Sequence, residues 1–267
     1  QGKYKEASED IKFMKEMNEA TASQLNHKFP LFDAIIGSNT NAREDYVLQC
    51  VKESLTCYVK YNRSIAPWNK FEALIAAEYD TLYDMAKVLL DYYSFDNKVN
   101  LNSIPDTVRQ AERILTLLKK NKYMISSALL NGKLMFIKSN MKEAMNEVNG
   151  VLSIDSKNLE ALMMKAMFCI DVKDFTKAKE VITAAMINNL TETKESAAFL
   201  ILKSKCELGL NDTSNAQKSL NDAIEKFDKT MNEGNVSSNR CSLFKLRKND
   251  KLELMKINID ILLKLGK

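Results

Sequence analysis

Asn140-Met-Lys-Glu-Ala-Met145 and Asp174-Phe-Thr-Lys-Ala-Lys179 are matched segments, and their spacing decides how this chain is built. Their alanines, Ala144 and Ala178, stand 34 residues apart. Each follows a small residue by twelve positions, Gly132 and Ala166, within an apolar stretch of helical spacing. A third copy carries Ser204 and Ala216 in the same two slots. Small residues recur in this way where two antiparallel helices cross so closely that a larger side chain would overpack the contact.

A 34-residue helix-turn-helix period is the tetratricopeptide signature. One such pair cannot cover its own apolar face, so pairs stack into an all-α, right-handed solenoid. The repeats fall at about 125–154, 158–189 and 195–231. The interval between Ala178 and Ala216 is four residues longer than the first. The excess fits a widened turn at 188–195.

Composition agrees. The 267 residues are 45% hydrophobic, with only seven Gly and three Pro, too few turn formers for a sheet-rich fold. A net charge of +4 is too mild to imply nucleic acid. No apolar run reaches the roughly 20 residues a membrane helix needs. The chain starts at Gln1 with no signal-peptide pattern, which reads as a boundary inside a longer protein. Five cysteines at 50, 57, 169, 206 and 241 contain no C-x-x-C pair and read as reduced thiols, mostly in the core. His27 is the sole histidine, so no metal site is expected. The N-x-S/T triplets at Asn62, Asn189, Asn211 and Asn235 are what an Asn-rich chain produces by chance.

Before the repeats the pattern is looser. Gly2-Lys-Tyr-Lys-Glu-Ala7 reads as the turn and second helix of a half-repeat, with Ala7, Ile11 and Met14 on one side. Helices are expected at 21–36, kinked or broken at Pro30 and stopped at Gly37, and at 43–61, with Val47, Cys50, Val51, Leu55 and Tyr58 on one face. Residues 62–70, with Pro67 and Trp68, read as a loop; Trp68 is a structural anchor or a partner contact. A long helix over 73–95 follows, then a polar break and a helix at 106–120 beginning at Pro105. The expected domains are 1–95, divergent repeats; 96–123, linker and connecting helix; 124–231, three repeats; and 232–267, a mobile polar loop and the first helix of a further repeat. In that last helix, 251–265, the expected contact face is Leu252, Met255, Ile259 and Leu262. It should meet the third repeat or a second copy.

The first helix of each repeat lines the inner wall of such a solenoid. The inward slots are Leu129, Lys133 and Phe136; Met163, Met167 and Ile170; and Ile201, Lys205 and Leu208. This mostly apolar wall lacks the Lys, Asn and Arg clamp that holds chaperone C-termini. It suits an amphipathic helix from a partner or the same chain, because Met adapts its shape. The plainer reading is core between neighbouring repeats. The basic run 245–251 has no aromatic interleaving and reads as a solvated loop. No phosphate loop, G-x-S-x-G or placed histidine supplies catalysis, and no catalytic residue or cofactor is expected.

The order of segments carries a resemblance. The half-repeat at 2–7 is followed by Leu89-Leu-Asp-Tyr-Tyr-Ser-Phe95 and a break. Leu159-Glu-Ala-Leu-Met-Met-Lys-Ala166 and Ala178-Lys-Glu-Val-Ile-Thr-Ala-Ala-Met186 come next. A basic loop and Ile261-Leu-Leu-Lys-Leu-Gly266 close the series. The chain resembles the amino-terminal half of the tetratricopeptide repeat protein 21 family, the large repeat subunit of intraflagellar transport complex A. That resemblance implies a non-catalytic scaffold partnered by other complex A subunits, in cytoplasm and cilium, serving return transport and cargo entry. A repeat adaptor of a chaperone or degradation complex, or an accessory segment of a larger enzyme, is the alternative.

Overall fold

Left-handed turns recur in register with the alanines. The computed structural model describes residues 2–19, 28–40, 42–65, 79–95, 98–121, 124–233, 242–244 and 251–266. Among the described non-glycine residues the positive-φ positions are Ser139, Lys173 and Asn211, at 59°, 63° and 61°. Each precedes its repeat alanine by five positions. All the regular structure among the described residues is helical.

The chain forms two units, 1–139 and 140–267. The division falls within the first repeat, not at the polar break at 96–105. The first unit holds α1 (Gly2–Glu19), α2 (Lys28–Asn39), α3 (Glu44–Ile65), α4 (Tyr79–Leu90), α5 (Asp106–Asn121) and α6 (Ile125–Ile137). Pro30 neither kinks nor breaks α2. It lies in the first turn, where no intrahelical N–H is required of it. The helix also runs past the expected stop at Gly37, which is buried; a Cβ there would meet Val47 Cγ2 at 3.1 Å, so the glycine serves the α2–α3 approach. Val47, Val51 and Tyr58 of α3 are buried as the spacing predicts.

The expected helix over 73–95 ends at Leu90, because the following tyrosines have partners elsewhere. Tyr92 Oη donates to the Ala42 carbonyl at 2.9 Å, and Tyr93 Oη donates to Glu44 Oε1 at 2.6 Å. Thr107 Oγ1 also donates to Glu44 Oε1. One carboxylate thus ties the start of α3, the end of α4 and the start of α5.

The second unit holds α7 (Met141–Ile154), α8 (Leu159–Asp171), α9 (Phe175–Asn188), α10 (Leu190–Glu195), α11 (Ala197–Gly209), α12 (Thr213–Glu233) and α13 (Lys251–Lys264). The turn after α8 is a Schellman closure. Lys173 N–H donates to the Ile170 carbonyl and Asp174 N–H to the Cys169 carbonyl, both at 2.9 Å. Asp174 then caps α9, its Oδ1 accepting the Lys177 N–H at 3.2 Å. After α11 the same bonds recur, from Asn211 to Leu208 and from Asp212 to Glu207, and Asp212 accepts the Asn215 N–H. One acidic residue thereby ends a helix and starts the next. Asn140 caps α7 likewise through the Glu143 N–H.

All six small-slot residues, Gly132, Ala144, Ala166, Ala178, Ser204 and Ala216, are buried. The hydroxyl of Ser204 meets the one oddity of the set, for its Oγ donates to the Ala216 carbonyl at 2.8 Å across the α11–α12 crossing. The four extra residues before the third repeat do not form an open turn. They are taken up in a six-residue helix, α10, whose Thr193 is buried and which packs against both α9 and α11.

Candidate functional site

None of the nine inward-slot residues is exposed. In the first unit Leu129, Lys133 and Phe136 on α6 are buried. Their cover is the chain itself. The Phe95 ring lies 5.8 Å from that of Phe136, Lys133 Nζ sits 5.5 Å over the Phe95 ring, and Lys98 Nζ lies 5.1 Å over Phe136. Val99 N–H donates to the Ile137 carbonyl at 3.0 Å. Phe95, Lys98 and Val99 thus lie against this face, a cover that the sequence signalled only through an aromatic, Phe95, at the edge of the polar break.

In the second unit Met163 and Ile201 are buried, while Met167, Ile170, Lys205 and Leu208 are half-buried. Ile201 belongs to a cluster with Leu200, Ala216, Leu220, Ala223 and Phe227, and Leu208 packs against it. Leu254, Ile257 and Ile261 of α13 complete that cluster.

Here the expected face of the last helix needs correction. Leu252, Met255 and Ile259 are at least half exposed and Leu262 is half-buried. The buried face is Leu254, Ile257 and Ile261, because α13 carries apolar residues on both sides and docks by the side that matches the earlier repeats. Counted back from the positive-φ residues Gly266 and Asn211, these three stand where Phe199, Leu202 and Cys206 stand in α11, all buried. Lys264 Nζ fixes the end of the helix, donating to the Leu208 carbonyl and Asn211 Oδ1, both at 2.8 Å.

The expected loop before this helix contains an ordered contact. Ser242–Phe244 is a single 3-10 turn with Leu243 and Phe244 buried. Sequence reasoning passed over them; the signal was an apolar pair inside a polar stretch. Pro67, Trp68, His27, Cys241 and residues 245–250 of the basic run lie outside the described residues.

The titratable groups follow from structure. Cys50, Cys169 and Cys206 are buried free thiols. Burial pushes all three up, Cys206 to about 11, which keeps them protonated and poorly nucleophilic at neutral pH. Asp174 is held below the usual carboxylate range by the Lys177 side chain and then its N–H. Among the described residues no group of His, Cys, Asp and Glu is arranged to hold a metal, and no helix is long and apolar enough to cross a membrane.

Paired helices in fixed register are what a repeat protein offers a partner, and the family comparison agrees with that architecture. The model of the tetratricopeptide repeat protein 21 second ARM domain matches residues 1–173. The chain belongs to the tetratricopeptide repeat protein 21 family. The family match runs through the first unit and ends at Lys173, the left-handed residue between α8 and α9. No curated protein matches the chain.

Proposed function

We propose that this chain is a non-catalytic scaffold that binds proteins as part of intraflagellar transport complex A, acting in return transport and cargo entry in cytoplasm and cilium. The family match over residues 1–173 carries the reading. The helical-repeat architecture supports it, since stacked pairs present continuous surfaces that single domains lack. The buried position of Lys133 disfavours the chaperone-adaptor reading, which needs lysines free to clamp a carboxylate.

The test is affinity capture of the tagged chain from ciliated cells, with a repeat protein of another family as control. Enrichment of complex A subunits over the control, together with label at the ciliary base and along the axoneme, is the expected result. Capture of chaperone or degradation subunits without complex A would overturn the assignment.

A further inference from the structure

Leu243 and Phe244 are 3% and 8% exposed, although they stand in a single turn between polar stretches. The Leu243 N–H donates to Glu160 Oε1 at 2.5 Å, across 83 residues of chain. Glu160 is in the first turn of α8. Residues three and four apart are neighbours on a helix surface, so Glu160, Met163 and Met167 form one stripe. Met163 and Met167 on that stripe are two of the slots expected to face inward; Met163 is buried and Met167 half-buried.

At the head of the stripe Glu160 holds the backbone of Leu243, whose side chain is buried together with that of Phe244. A carboxylate accepting a backbone N–H holds main chain whatever its sequence, and a charge-assisted bond of this kind is among the stronger ones. Burial of the adjacent Leu and Phe adds a requirement for bulky apolar side chains. Methionine-bearing faces adapt their shape to such side chains. Main-chain capture beside an apolar seat is how short linear segments are bound.

We propose that the α8 face headed by Glu160 is a docking site for a short segment with two adjacent bulky apolar residues, one aromatic, and that Ser242–Phe244 fills it in cis. The tether gives this internal occupant an effective concentration on the order of millimolar. A partner segment of the same chemistry must outcompete it, so the site is masked until such a segment is bound more tightly. The inference deepens the scaffold reading by naming a surface, and its test reads peptide binding directly, independently of any complex A membership.

The probe is a fluorescein-labelled peptide of residues 238–247 with Ser in place of Cys241. Anisotropy titrations compare the intact chain with a variant carrying Leu243→Asp and Phe244→Asp, which vacates the site. The vacated chain should bind at least about tenfold more tightly than the intact chain, the masking expected of a tethered competitor. Adding Glu160→Ala to the vacated chain should weaken binding by about tenfold, as loss of a charge-assisted bond does. Equal binding to intact and vacated chains, or no binding to a vacated chain that keeps its cooperative melt, overturns the proposal. Should the double variant not fold, Phe244→Ala alone decides. It keeps the backbone clamp and should bind the peptide more tightly than the intact chain, and the same affinity as the intact chain refutes the masking.

Discussion

The second unit repeats itself and the first does not. In 140–267 the turns after α8 and α11 share backbone bonds, an acidic cap and a left-handed residue at one register. In 1–139 individual polar contacts, such as Glu44 with Tyr93 and Thr107, tie elements together without a repeated register. A repeated unit puts its specification into spacing, where small residues allow helices to cross. An irregular one puts it into particular side chains that reach across the fold. The two should therefore fail differently.

The largest effect is expected from Ala178→Leu. Ala178 has no exposed surface, and the added side chain overpacks the α8–α9 crossing at a cost of about 1–3 kcal/mol. Urea unfolding should register that loss, and hydrogen exchange should place it in the second unit. An unchanged urea midpoint would remove the basis for reading the alanines as crossing points. In the first unit the corresponding break is Glu44→Ala, which removes an acceptor shared by two hydroxyls; Tyr93 Oη and Thr107 Oγ1 lie 2.8 Å apart, so one can still donate to the other, and the cost should be about 1 kcal/mol. Faster exchange confined to 42–121 would sharpen the contrast; a uniform change across both units would blur it.

A smaller effect of opposite sign is expected from Lys173→Gly. Lysine at φ 63° pays a left-handed penalty that glycine does not, so the variant should gain up to about 1 kcal/mol. Asn211→Gly should gain less, because Asn tolerates that conformation. Equal gains would mean that the turn, not the side chain, absorbs the strain.

The smallest effect is a pH dependence. The Cys206 thiol is raised from its ordinary value near 9 to about 11. Between those values the unfolded chain ionises first, so the stability this thiol contributes is complete below about pH 9 and fades as pH rises toward 11. Cys206→Ala should flatten that part of the stability curve, and an unaltered slope would assign it to other groups.

The helical-repeat class and the burial of the small slots were legible because they depend on spacing. The same logic failed at α13. Its apolar residues surround the helix, so periodicity allowed two faces, and the match to Phe199, Leu202 and Cys206 chose between them. The end of α4 was illegible for another reason. Tyr92 and Tyr93 fit a helical pattern, and only partners 50 and 49 residues away, Ala42 and Glu44, draw them out of it. Leu243 and Phe244 were likewise hidden, since the contact that holds their turn, from the Leu243 N–H to Glu160, is 83 residues back in the chain.

The left-handed turns also say where this chain can change length. From small slot to turn to alanine the count is fixed, at 132, 139 and 144, at 166, 173 and 178, and at 204, 211 and 216. Between hairpins it is not, and four additional residues were absorbed there within the six-residue α10. Within the second unit each hairpin, α8–α9 and α11–α12, is thus an indivisible cassette with an elastic seam between them. Foreign sequence, such as a tag or a fluorescent insertion, belongs at a seam like 155–158, whereas one residue added at 172–174 would shift the alanine out of its crossing.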